Sequence, residues 1–194
     1  MGPGAATRQV RLLALAAAIA TPLILGASDL FGQGRGSVEL EGLAGYTLAD
    51  VERYSNFSSL HAKRQHSSGI AARVFLIELD TRPLAVEAGF QNLFWYEVQA
   101  QGPGLIVRRR VYVSAPHVAG VIRHPTSRRA HVDFGFGLTF LRDGPRPSGH
   151  VTGTWRMAEW GRVTVPLGLR VAAILHDAAP MLPVSFTLGA ALKR

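Results

Sequence analysis

The chain has 194 residues, 47% of them hydrophobic and 18% charged, with no cysteine and a formal charge of +8. That length allows one ordinary domain or two small ones, and the apolar share excludes a disordered chain. The lack of cysteine removes disulfides, thiolate-bound zinc, thiol catalysis and a lipoprotein anchor.

The first element in chain order is a processing segment. Arg8 and Arg11 stand without any acid, Leu12 to Leu25 reads LLALAAAIATPLIL, and Gly26-Ala27-Ser28 precede Asp29. A basic region, an apolar region and small residues in that order predict a secretory signal peptide over residues 1–28. Pro22 breaks the apolar helix before the cleavage site. Cleavage after Ser28 removes two arginines and no acid, lowering the charge to +6. Residues 29–194 are then one exported domain.

That domain is dominated by alternation. Val38, Leu40, Ala44 and Tyr46 oppose Glu39 and Glu41, which predicts a first strand. A long polar loop over 47–68 follows. It carries His61 and His66, whose spacing fits no established metal site. Weaker alternation over 70–79 and 83–96 gives two more strands, joined by a turn at Asp80-Thr81-Arg82. A Gly102-Pro103-Gly104 tip leads into residues 105–122. There the apolar parity changes from Val111 and Val113 to Val118, Gly120 and Ile122, so a bulge is expected near Ala115-Pro116.

The cleanest strand comes next. Val132, Phe134, Phe136, Leu138 and Phe140 share one parity; His131, Asp133, Gly135, Gly137 and Thr139 share the other. After a proline-rich tip at 143–149, residues 151–157 make a weaker strand. Val163, Val165, Leu167, Leu169 and Val171 form the seventh after a tight turn at 160–162. The loop 176–183 precedes the last, with Val184, Phe186, Leu188, Ala190 and Leu192 on one face. Glycine, valine, threonine and phenylalanine in period two are wrong for helices. Eight strands result, with the more elaborate connections (47–68, 97–104, 143–149 and 176–182) alternating with short ones.

Alternation permits two arrangements. In a soluble barrel the apolar face points inward, with Phe134, Phe136 and Phe140 around a cavity for a small apolar ligand. In a membrane barrel that face meets lipid and the polar face lines the interior. The polar face here is rich in Gly, Ala, Ser and Thr, as a narrow eight-strand interior requires. Its charges come in both signs: Glu39, Glu41, Glu87 and Asp133 against Arg73, Arg108, Arg110, Arg156 and Arg170. Enclosed together they would neutralise one another as hydrogen-bonded pairs. Val132, Phe134, Phe136, Leu138, Phe140, Val184, Phe186 and Leu188 would then face lipid. Tyr46, Phe94-Trp95-Tyr96, Trp155 and Trp160 lie towards strand ends, as interface girdles do.

With its signal peptide, HVDFGFGLTFL at 131–141, VTVPLGLRVAA at 163–173 and VSFTLGAAL at 184–192, the chain resembles the small eight-stranded outer-membrane β-barrels, the OmpA-type domain among them. The resemblance implies an all-β, antiparallel up-and-down transmembrane barrel in the bacterial outer membrane. It implies outer-membrane lipids, lipopolysaccharide among them, and the barrel-assembly machinery as partners. That machinery reads a terminal aromatic in the family, whereas this chain ends Leu192-Lys193-Arg194.

The search for chemistry yields little. GLRVAAILHDA at 168–178 is faintly similar to the active strand of lipid A deacylase barrels, but Ala178 stands where a hydroxyl is needed. His150 and Thr152 have the right spacing, with Glu159 downstream and threonine for serine. The plainer expectation is a loop His176 and a lumen-facing His150. Arg108-Arg109-Arg110 on a barrel rim suits lipid phosphates better than nucleic acid. No cofactor and no metal are expected.

Overall fold

The computed structural model describes residues 36–55, 62–79, 82–102 and 105–192. The expected signal peptide, His61 and the final Lys193-Arg194 lie outside the described residues.

The elements in order are β1 (Val38–Leu48), α1 (Val51–Ser55), β2 (Ala62–Arg64), β3 (His66–Leu79), β4 (Arg82–Gly102), β5 (Leu105–Pro125), β6 (Ala130–Leu141), β7 (Gly144–Trp160), β8 (Val163–Ile174) and β9 (Leu182–Leu192). From β3 onward each strand pairs antiparallel with the next, β1 pairs with β3, and β9 returns to β1. The result is a closed, eight-stranded up-and-down barrel. The short β2 is an extra strand on the flank of β4.

The alternation in sequence becomes an alternation in burial. In β6, His131, Asp133, Gly135, Thr139 and Leu141 are buried, while Phe134, Phe136, Leu138 and Phe140 are exposed. Successive Cβ atoms point to opposite faces, so one parity fills the interior and the other covers the outside. All eight apolar residues assigned above to lipid stand on the outer face. Phe136 is 70% exposed and Phe186 69%, values foreign to a conventional core. Phe134, Phe136 and Phe140 therefore do not surround a cavity, and the soluble ligand-binding arrangement is overturned.

Two expectations about strand geometry are corrected. The bulge foreseen at Ala115-Pro116 is absent, since β5 keeps one register against β4 from Ser114 to Ile122. The irregularity lies in β4, between Asn92 and Phe94. Odd-numbered residues of β5 point inward from Val111 to Arg123; the apolar parity changes because the interior itself changes from apolar to charged. Pro116 is tolerated because the β5–β6 ladder begins only at His117 opposite Thr139.

The proline-rich tip at 143–149 is also mostly strand. Gly144 opens β7, with φ +132°, a backbone that favours glycine. Pro147 stands opposite Leu138 of β6, and its carbonyl accepts from Leu175 N–H at 2.9 Å. Its nitrogen thus also faces the β8 side, where that strand has ended at Ile174. Residues 97–102 likewise continue β4, paired with β5 up to Gly102 opposite Leu105. The 47–68 connection is shorter than expected, since β1 reaches Leu48 and β3 starts at His66.

The connections differ at the two ends. One end carries the chain's entry into β1, the exit of β9 and the three short turns. The other carries α1, β2, the long β4–β5 hairpin, the Arg142-Asp143 turn and residues 175–181.

Candidate functional site

The interior has two storeys. Beneath the elaborate end, Val51, Leu93, Phe94, Tyr96, Val113, Ala115, Leu141, Ile174 and Met181 form a buried apolar cluster. The β4 irregularity is what turns both Leu93 and Phe94 into it, so Phe94 and Tyr96 are core residues and not part of an interface girdle. Tyr46, Trp95, Trp155 and Trp160 are on the outside. Val51 of α1 and Met181, each 1% exposed, drop into the barrel from the loops and cap it.

Below the cap the interior is ionic. Cross-strand pairing sets Glu39, Arg73 and Glu87 side by side on β1, β3 and β4, and Arg123 beside Asp133 on β5 and β6. Alternating sign between neighbours is the favourable order for sheet pairs. Arg73, 1% exposed, donates from Nε to Glu87 at 2.5 Å and through both terminal nitrogens to Glu41 at 3.0 and 2.8 Å. Its Nη1 also reaches Asp133 at 3.0 Å and Glu39 at 3.6 Å. Arg123 donates a pair of hydrogen bonds to Glu39, 2.7 Å each, and another pair to Asp133 at 2.8 and 2.9 Å. Arg170 binds Glu87 through both terminal nitrogens and donates to His150 Nδ1 at 2.8 Å. His117 Nε2 meets Glu87 at 3.0 Å. Paired, multiply hydrogen-bonded ions are the form in which buried charge is tolerable.

Of the nine residues expected in this network, the structure brings together Glu39, Glu41, Arg73, Glu87, Asp133 and Arg170. Arg108 and Arg110 are a correction. The expected bulge would have turned them inward, but in its absence they share the outer parity with Tyr112. Arg110 lies over the Trp95 ring, 4.4 Å from its centroid. Arg156 has inward parity but stands at the barrel's end, beside the Arg156/Ala158 irregularity, donating to the Arg128 carbonyl at 3.4 Å.

Two network members escaped sequence reasoning: Arg123 and His117. Arg123 falls just past the strand expected over 105–122, yet it continues the inward parity of Ala119 and Val121. Its guanidinium also covers Phe75 at 4.3 Å.

Between cap and network lies a cavity of about 30 Å³ bordered by Gln91, His117, Thr139, Ser148, His150 and Arg170. It has room for about one water molecule. Eight strands leave an interior just wide enough for side chains to fill.

Among the described residues, His150, Thr152 and Glu159 are not assembled as a hydrolytic set. His150 Nδ1 is occupied by Arg170, Thr152 Oγ has no hydrogen-bond partner, and Glu159 is exposed at the short-turn end. His176 binds Asp143 at 2.9 Å through Nε2 and accepts from its own loop's Ala178 N–H at 3.1 Å. His66 is exposed and meets Tyr46 edge-on.

His176 instead belongs to a latch over the cap. Arg146 bridges Asp143 at 2.8 Å and Asp177 at 2.5 Å, and the Tyr54 ring of α1 packs on His176. The Arg146 hydrogen bond, seconded by His176, holds the Asp143 carboxyl below its ordinary pKa. Burial of Tyr54 against this group pushes its phenol up to about 12.

No family model matches the chain, and no curated protein does. Solved structures do resemble it. Neisserial surface protein A shares 12% identity over 84% of this chain and 100% of its own, with a TM-score of 0.47. The outer membrane protein OprG from Pseudomonas aeruginosa shares 11% over 84% and 98%, with a TM-score of 0.42. The de novo designed protein TMB2.3 shares 12% over 84% and 98%, with a TM-score of 0.45.

Proposed function

We propose that the chain is an outer-membrane β-barrel with a non-enzymatic structural or surface-interaction role in the cell envelope. The observation that carries this reading is the inversion of the barrel. Its outer face presents Phe136, Phe186, Leu188 and Ile70, while its interior holds Arg73 and Glu87 away from solvent. A water-soluble barrel would gain by the opposite arrangement. In hydrocarbon this one is favourable, and a closed barrel leaves no strand edge unpaired there.

The elaborate end, capped and latched, suits the cell surface, and the end with short turns suits the periplasm. Rigid, filled and charge-paired, the barrel serves as a scaffold for its loops and not as a pore. Lipids of the outer membrane would surround it, and the barrel-assembly machinery would insert it.

Fractionation tests the reading. The mature protein should sediment with outer membranes, need detergent for extraction and show a heat-dependent shift in gel mobility. Added to planar bilayers it should give no conductance above leak. A protein that stays monomeric in plain buffer contradicts the reading.

A further inference from the structure

The outer face of the β4–β5 hairpin gathers cations around aromatics just above the apolar belt. Phe90 stands opposite Pro116, and Ala88 opposite Val118, as the last apolar rows. Above them Ser114 Oγ donates to Asn92 at 2.5 Å. The next row aligns Arg64 of β2 with Trp95 and Tyr112. Beyond it Glu97 pairs with Arg110, and then Gln99 with Arg108. These rows therefore hold three guanidiniums and one carboxylate.

The group is organised, not merely crowded. The Arg110 guanidinium lies 4.4 Å over the Trp95 ring centroid and that of Arg64 lies 5.9 Å from it. Arg110 also reaches Glu97 at 3.6 Å, which leaves donors of its fork to spare. Tyr112, 57% exposed, stands level with Arg64 and Trp95, between Arg110 and the belt. Aromatics with a polar edge settle at the level of lipid headgroups, and guanidinium is the side chain suited to phosphate.

We propose that Arg64 and Arg110, arrayed about Trp95, together with Arg108 two rows beyond, bind the phosphate of an anionic lipid headgroup in the leaflet on the loop side. The inference rests on the membrane reading above. Continuity with the rows of Phe90 and Val118 is what favours a lipid, since acyl chains can lie along them while the headgroup meets the arginines.

The test uses the folded protein in vesicles of phosphatidylcholine, with or without a minor share of phosphatidylglycerol. Native mass spectrometry of the extracted protein then counts retained lipid. The wild type should retain phosphatidylglycerol in preference to phosphatidylcholine. Each basic side chain near an anionic surface changes affinity about fivefold, so R64A/R108A/R110A should lower that retention on the order of a hundredfold. R129A/R162A, at the opposite end, should not. A triple variant that inserts, shifts on gels and still retains phosphatidylglycerol overturns the site. Inorganic phosphate bound as tightly as phosphatidylglycerol overturns the lipid assignment. Failure of the wild type to insert at all overturns the membrane reading instead, and the site with it.

Discussion

The imidazole of His150 covers Gly135, its cross-strand partner: a Cβ on Gly135 would stand 2.1 Å from His150 Cε1 and 2.4 Å from Nε2. His117 covers Gly89 in the same way, at 2.3 Å. In a barrel this narrow, each glycine makes the space in which a histidine reaches Glu87 or Arg170.

Gly135→Ala should therefore destabilise the barrel, since Arg170 holds the ring that would have to move. Overpacking of this kind costs about 1–3 kcal/mol. Urea unfolding of the inserted protein measures it. In a His150→Ala background the same substitution should cost much less; an equal cost in both backgrounds would mean that the ring is not the obstacle.

Arg73 is the cation shared by Glu41, Glu87 and Asp133. Arg73→Met leaves these carboxylates short of a partner inside the barrel, a change worth about 3–5 kcal/mol. Adding Glu41→Gln removes one uncompensated charge and should recover part of the loss. Midpoints of urea unfolding for the single and double variants check both statements. A double variant less stable than Arg73→Met would contradict the network.

The loop latch should respond to acid. Its folded state lowers the pKa of Asp143, so the stabilisation it gives is complete above the ordinary value of 3.8. It is lost as pH falls through the lower, folded value. Protection of α1 and residues 175–181 from hydrogen exchange, measured against the intrinsic amide rate at each pH, should therefore fall below about pH 4. Asp143→Asn should exchange faster already at neutral pH and gain little more in acid.

Much of this was legible in the sequence because period-two alternation survives folding unchanged. Val132 to Phe140 and His131 to Thr139 separate into outer and inner faces with no tertiary information. Glu39, Glu41, Arg73, Glu87, Asp133 and Arg170 follow from the same parity. Legibility fails where parity stops meaning one thing. Val111 and Val113 are apolar and inward because the cap is apolar, whereas Val118 and Ile122 are apolar and outward. A single sequence offers a bulge as the natural explanation, and that misplaces Arg108 and Arg110. The true irregularity in β4 has no proline or glycine to mark it, and it changed the fate of Phe94 and Tyr96. Arg123 was lost because a strand end cannot be read to the residue.

The most direct test of the barrel's inversion is fluorescence quenching of one tryptophan on the belt. Phe136→Trp, with Trp95, Trp155 and Trp160 each replaced by Phe, places a lone indole at the most exposed phenylalanine of β6. Reconstituted in vesicles whose lipids carry bromine in mid-chain, that indole should be strongly quenched and nearly untouched by aqueous iodide. Quenching by iodide without quenching by the brominated lipid would mean that the apolar face of this barrel does not meet the membrane.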